Sequence, residues 1–441
     1  MADPAAPADL ARRLGLVDAA AIFVGIILGS GIFFAPAGVA AVAPGAAGVW
    51  LWLAGGLAAA AGALCYAECG ARMPRTGGFY VYCRAVYGEP VAFVGGWAAL
   101  LVTYPASMAA IALVFGHYLG EAVPALAGHP TLAAAGALVA VGALNVAGVR
   151  AGALTQRGLT AAKVGVLALL CLAAVLAGGR GAAAARAPVT LPPVQAAALL
   201  GAFIGVLFTY DGWSDVTLIA GEIRDPGRNL GRAVAVGIAV LVALYAAVQL
   251  AVTALLPPAR AGASDRVLAE AVQVGLGRGA GVAVAWLVVV STFGSLHGVA
   301  LTASRLGFAM ARDGVFPAAF GALHPRLGTP ARALAALIAA AVCYGFAGGL
   351  RGLLGYFTFS VWIFYGLIAG ALLVLRRRRV GEPLPWRAPG GPAAPILVLL
   401  TAAVMTGSLL WQSPWRSAGG LAMFGVGFAA YYGWRAVRRR A

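Results

Sequence analysis

Apolar runs of about 20 residues, the length needed to cross a hydrocarbon core as helix, recur along the whole chain. Short segments holding most of the arginine, proline and acidic residues separate them. The pattern predicts twelve spans, at 16–40, 47–71, 91–119, 130–148, 158–179, 197–221, 233–256, 281–304, 332–350, 353–375, 393–411 and 418–434. The runs are too long, and too rich in Leu, Ala, Val and Gly, for the short alternating strands of a membrane β-barrel. An all-α integral membrane protein, a polytopic bundle, is the expected fold class.

Two spans are broken by residues that do not suit a helix in lipid. The first reads FVGIILGSGIFFAPAGVAAV, with Gly29, Ser30 and Gly31 at mid-depth. Each glycine costs a helix interior roughly 1 kcal/mol relative to alanine. The sixth reads LLGAFIGVLFTYDGWSDVTLIAGEI, where Tyr210, Asp211, Gly212, Trp213 and Ser214 interrupt the apolar run about as far in. Such breaks survive in a membrane only where protein or water satisfies the released backbone groups. Taken alone, Gly-Ser-Gly is also what a close-packing patch between helices looks like. Paired breaks five spans apart instead point to a transporter made of two inverted five-helix repeats.

Composition agrees with the pattern. Hydrophobic residues make up 62% and charged residues 10% of the 441, and the mean hydropathy is +0.91, which excludes a soluble domain of this size. The net charge of +17 is mainly a matter of topology: 23 of the 30 arginines fall on one side of the predicted spans and seven on the other. With an even number of spans, the positive-inside rule then places both termini in the cytoplasm; the plasma (inner) membrane is the expected location. No nucleic-acid partner is expected, because the basic groups are spread along a membrane face with no soluble domain to organise them. Cys65, Cys69, Cys171 and Cys343 lie in apolar spans and Cys83 in an inner loop, so the thiols read as free and structural. The segment before the first span is too polar for a signal-peptide core. Gly178 to Pro188 reads as low-complexity linker without chemistry.

A broken helix suits a zwitterion. Amide N–H groups freed at a half-helix start point at a carboxylate, with the helix dipole adding to the attraction. Freed carbonyls at the opposite half-helix end accept the hydrogens of an ammonium group. Ser30, Gly31 and Ile32 are accordingly the candidates for the carboxylate, beside Gly29, and carbonyls near Ile27, Phe208 and Asp211 the candidates for the amine. Tyr210, Gly212 and Ser214 complete the expected substrate site.

The stretches GIILGSGIFFAPAGV, LCYAECGARMPRTGGFYVYCRAVYG, LNVAGVRAGALTQRGLTAAKVGVLALL, FTYDGWSDVTLIAGEIRDPGRNLGRAV and STFGSLHGVALTASRLGFAMARDGVFP fall in order from Gly25 to Pro317. Together they resemble the L-type amino acid transporters and their bacterial relatives in the amino acid-polyamine-organocation superfamily. The resemblance implies the LeuT fold: five helices (16–179) and an inverted five (197–375) with discontinuous first and sixth spans, then two more helices (393–434) before a cytoplasmic tail (435–441). It also implies alternating-access transport of free L-amino acids without sodium, most simply neutral ones and by exchange. Proton-coupled symport and cationic amino acid or polyamine transport stand as alternatives. In the family the aromatic at Phe208 serves as an outer gate. Asn145-Val146 stand where some animal members have a cysteine that pairs with an accessory glycoprotein, so that partner is not expected.

Lys163 is the only lysine in the chain. A lysine at a span centre costs about 3 kcal/mol, less if its ammonium reaches the interface. Lysine, unlike arginine, is a compact point charge able to stand where a monovalent cation would bind. By the resemblance its ammonium takes the place of sodium between the first and eighth spans, with Ser291, Ser295 and carbonyls near Gly25 to Ile26 as partners.

Asp211 reads either as a contact for a positive substrate group or, more simply, as a cap on the lower half-helix. Trp213 is a second candidate for covering the substrate. Glu222 and Arg224, with Asp225 and Arg228, are placed to form an inner gate with Arg12 or Arg75. Glu68 reads as a helix-end network residue, His297 as a buried and hydrogen-bonded one, and Arg376 to Arg379 as a topology signal.

No HExxH pattern, nucleotide loop or paired intramembrane aspartates with a glycine turn occurs, so an enzyme is not expected, and neither cofactor nor metal is called for. An amino acid sensor would share both helix breaks. The expected partners are an amino acid and the lipid bilayer.

Overall fold

The computed structural model describes residues 10–177, 196–277, 279–347, 350–412 and 414–438. Among them the only β pairing is an isolated parallel bridge between Leu14 and Ile223. The predicted linker, and with it Arg180 and Arg186, lies outside the described residues, as do most of the N-terminal segment and the last three residues of the tail.

The first span divides as its glycines suggest. Helix α1 (Leu16–Ile27) ends at Leu28, a 3-10 turn covers Gly31–Phe33, and α2 (Ala35–Val42) begins with Pro36 in its first turn, where the missing N–H costs nothing. Next come α3 (Ala47–Arg72), a connecting helix α4 (Phe79–Tyr87), α5 (Glu89–Ala98) and α6 (Tyr104–Ala122). A π turn at Ala99–Thr103 joins the last two, directly before Pro105, which lacks the N–H for a regular ladder. Helices α7 (Pro130–Val146) and α8 (Val149–Ala177) follow.

The sixth span breaks after α9 (Ala196–Thr209) and resumes as a 3-10 segment, Asp215–Glu222. Between them Gly212 has φ +100°, a conformation open to glycine and strained for other residues. Beyond this lie α10 (Pro226–Leu255), two short helices α11 (Pro258–Gly262) and α12 (Val267–Leu276), and α13 (Ala280–Arg312). Helices α14 (Ala331–Ala347), α15 (Leu350–Arg377), α16 (Ala393–Gln412) and α17 (Pro414–Arg438) end the fold.

Six stretches of helix are long and apolar enough to cross a membrane among the described residues, including Ala47–Arg72, Pro226–Leu255 and Ala280–Arg312. The broken spans fall short of that length because each is two short helices. Helix α8 starts nine residues earlier than the hydrophobic pattern sets it, because its first turns, from Val149, are polar yet packed. Both breaks sit in the centre, where α1 packs against α8, α10 and α13, and α9 against α2 and α3. Close approach is bought with glycine: a Cβ at Gly62 on α3 would lie 2.6 Å from the Trp213 ring.

Candidate functional site

The two breaks open onto one cavity of about 590 Å³, a size typical of small-molecule sites. Ile27, Gly29, Ser30 and Gly31 line it from the first break, and Phe208, Asp211, Gly212 and Ser214 from the second. Among the described residues the amides of Ser30, Gly31 and Ile32 donate to no protein acceptor. Ile32 itself is fully buried and does not line the cavity. Phe208 lies on the cavity wall, 37% exposed.

Several expected contacts fall elsewhere. Tyr210 is fully buried behind the break, its hydroxyl donating to the Trp52 carbonyl at 3.2 Å and its ring against Trp52 and Tyr245. Trp213 is not an outer cover: it packs on Tyr365 and edge-to-face with Tyr66, centroids 4.0 and 5.1 Å away, against Gly62. Both aromatics follow the helix interruption and turn into the core, where their area is removed from water. Asp211 does not cap the lower half-helix. The Tyr365 hydroxyl donates to its Oδ1 at 2.6 Å, and the N-cap of the 3-10 segment is Ser214, with no side-chain cap bond. The Ile27 carbonyl already accepts from the Gly29 amide at 2.7 Å and from the Tyr245 hydroxyl at 3.2 Å.

Tyr245, on α10, is a residue that the sequence pattern did not single out. Its hydroxyl lies 3.2 Å from the Ile27 carbonyl of the first break and 3.2 Å from the Thr209 carbonyl of the second, so one phenol ties both. Tyr104 and Asp215 were also missed as a pair: the hydroxyl donates to Oδ1 at 3.0 Å, joined by Ser214 Oγ at 3.2 Å. Nothing in the sequence signals this pair; the structure marks it by the π turn just before Tyr104, a feature frequent at functional sites.

Lys163 sits behind the first break, midway along α8 and fully buried. It does not snorkel. Its Nζ donates to the carbonyls of Gly25 at 2.7 Å and Leu28 at 3.0 Å, and to Ser295 Oγ at 3.1 Å. Ser291 Oγ donates to the same Leu28 carbonyl at 2.9 Å. Oxygen atoms from α1 and α13 thus gather round one ammonium, and Gly294 leaves space for its stem, since a Cβ there would lie 2.6 Å from Lys163 Cε. His297 is buried nearby with Nδ1 2.9 Å from Gln156 Oε1. Asn145 is buried too, its amide donating to the carbonyls of Val141 and His297; the position cannot reach a partner outside the bundle, so it says nothing for or against one.

The residues just before α1 are tied by backbone bonds to the end of the 3-10 segment that follows the second break. The Leu14 amide donates to the Glu222 carbonyl at 3.0 Å, and the Arg224 amide to the Leu14 carbonyl at 2.8 Å. Glu222 pairs neither with Arg12 nor with Arg75. Arg305 on α13 holds it in two bonds of 2.8 and 3.2 Å, both side chains buried, because a carboxylate this deep needs a full-time counter-ion. Arg224 contributes its backbone while its side chain is exposed. Asp313 accepts from Tyr80 at 3.1 Å and Arg75 at 3.4 Å and pairs with Arg84. Burial, with Asp313 adding to it, pushes the Tyr80 phenol up, so it stays a donor. Glu68 joins Arg72 and Arg376, at 2.8 and 2.5 Å, and the Ala388 amide, so Arg376 is a structural partner as well as a surface charge.

A helical membrane bundle with a central cavity at two opposed helix breaks is the architecture of a carrier. The amino acid permease profile matches residues 14–434, and the chain belongs to that family. It is 32% identical to the large neutral amino acids transporter small subunit 2 of Mus musculus, over 96% of this chain and 81% of that one. It is 30% identical to the b(0,+)-type amino acid transporter 1 of the same species, over 89% and 82%. An uncharacterized transporter of Mycobacterium tuberculosis is 34% identical over 99% of this chain and 94% of its own length. The protein is a multi-pass membrane protein of an amino acid transporter family.

Proposed function

We propose that the chain is a sodium-independent secondary transporter of free L-amino acids that works by alternating access and exchange. In this reading it has the LeuT fold: twelve spans, two inverted five-helix repeats at 16–179 and 197–375, and a closing pair at 393–434, with both termini cytoplasmic. The observation that carries it is the shared cavity, which brings the unpartnered amides of Ser30 and Gly31 together with Asp211 and Ser214, the Ile32 amide following directly behind. The amides, at the start of a 3-10 turn leading into α2, suit the substrate carboxylate. The second break suits its amine.

Sodium independence is supported by the Lys163 ammonium among the oxygens of Gly25, Leu28 and Ser295, with Ser291 alongside; a fixed charge there leaves no room for a mobile one. Phe208 serves as the outer gate, and the backbone of Arg224 with the Glu222–Arg305 pair as the inner one. The apolar walls suit the aliphatic part of a substrate side chain. Proton-coupled symport has one observation in its favour, the carboxyl of Asp215 inside the cavity.

Counterflow tests the proposal. Vesicles preloaded with each amino acid in turn are expected to drive uptake of labelled substrate equally with and without sodium. Many-fold stimulation by sodium would overturn the role of Lys163. Uptake driven by a pH gradient into empty vesicles would replace exchange by symport.

A further inference from the structure

The cavity walls are mainly apolar, yet the charges along them have one sign. Asp211 and Asp215 line it, and no lysine, arginine or histidine does so among the described residues. Asp211 stands at the break itself, held by Tyr365, where a substrate α-ammonium would meet it. Asp215 lies four residues on, beyond the turn of Gly212, and is only 6% exposed. Its Oδ1 takes both available donors, Tyr104 and Ser214. Its Oδ2 has no partner among the described residues. Oδ2 is thus left open to the cavity; a carboxylate in largely apolar surroundings with no counter-ion along the walls is costly, and a positively charged ligand group removes that cost.

We propose that Asp215 is the specificity-determining residue of the cavity and that it selects amino acids with a cationic side chain. The inference rests on the preceding reading, that the Ser30 to Ile32 amides take the substrate carboxylate. The match is then group by group: amides to carboxylate, Asp211 to α-ammonium, Asp215 to the side-chain cation. The apolar wall between, with Ile111, Val114 and Phe364 among its residues, covers the methylene stem, the same division of apolar stem and polar head that lysine and arginine show at protein surfaces. Tyr104 and Ser214 act as positioning residues, because by loading Oδ1 they turn Oδ2 toward the ligand.

The test is the ratio of lysine to leucine counterflow in proteoliposomes, which is insensitive to how much variant protein folds. The native protein is expected to carry lysine, ornithine and arginine faster than leucine at equal concentration. Asp215→Asn keeps an acceptor for Tyr104 and loses the charge, and should lower the lysine-to-leucine ratio at least tenfold. Tyr104→Phe keeps the charge and should lower the ratio by less than threefold while weakening affinity for lysine. In detergent, lysine should raise the melting temperature of the native protein and not that of Asp215→Asn. Leucine transport without lysine transport, or a ratio unmoved by Asp215→Asn, overturns this inference and leaves the transporter reading intact. A protein that carries no amino acid at all takes both down.

Discussion

The two helix breaks do opposite chemistry. At the first, glycine and serine supply no charge, and the backbone is what the cavity meets: the Ser30 and Gly31 amides have no protein acceptor, while the carbonyls on the other side are claimed by Lys163, Ser291, Ser295 and Tyr245. At the second, the side chains carry the chemistry. Asp211 and Asp215 face the cavity, each held by a phenol. One break therefore presents donors and the other acceptors, a polarity that matches a zwitterion lying across both. The difference teaches that a broken helix is not itself a site: what neighbouring spans do with the released groups decides its sign.

Removing the support of the first break should have the largest effect. Lys163→Ala leaves the Gly25 and Leu28 carbonyls with serine hydroxyls alone, and hydrogen bonds to a charged group are each worth about 1.5–3 kcal/mol. Exchange in proteoliposomes should fall about a hundredfold, two such contacts at 1.4 kcal/mol per factor of ten, with membrane insertion and expression unchanged. Normal exchange by the variant would mean that the donor face of the first break forms without the ammonium.

The second break depends on one backbone angle instead. At Gly212 an alanine would have to hold φ near +100° with its Cβ 2.8 Å from Ile26 Cγ2. Such strain costs about 1–3 kcal/mol, so Gly212→Ala should slow exchange by roughly tenfold or more and lower the melting temperature of purified protein. An unaffected rate would show that the two breaks do not need to interlock here.

How much of this was legible in the sequence follows the same division. Glycine and aspartate within apolar runs announced both interruptions, because a helix in lipid does not tolerate them without cause. A lone lysine announced its own burial. The aromatics were not legible: Tyr210 and Trp213 flank the break in sequence as Phe208 does, but the turn at Gly212 sends them inward. Arg305 was hidden among arginines that looked like topology signals, and nothing in its neighbourhood names Glu222, 83 residues away, as its partner. Tyr245 could not be read either, since one tyrosine in a long apolar span has no local pattern, and its role exists only where two carbonyls meet.

Tyr245→Phe cuts the one bridge between the breaks while keeping the ring against Trp52 and Tyr210. A hydroxyl shared between two carbonyls at 3.2 Å is a modest contact, worth about 1 kcal/mol. The expected outcome is a several-fold loss of apparent substrate affinity with little change in thermal stability. An equal loss of stability and affinity would instead assign Tyr245 to packing.

The smallest effect should come from Gly29→Ala, although Gly29 lines the cavity as Gly212 does. Its φ lies outside the range that favours glycine, and a Cβ there would meet nothing closer than Ser295 Oγ at 3.5 Å, an ordinary contact. Alanine also favours helix by about 1 kcal/mol, so the substitution asks whether the first break is kept open by glycine or by its partners. With Lys163, Ser291 and Ser295 holding the released carbonyls, exchange should stay within about twofold, below the 1 kcal/mol that the helix gains. A loss as large as that of Gly212→Ala would mean that the two breaks are held by the same means, and the contrast between a propped helix and a bent one would fail.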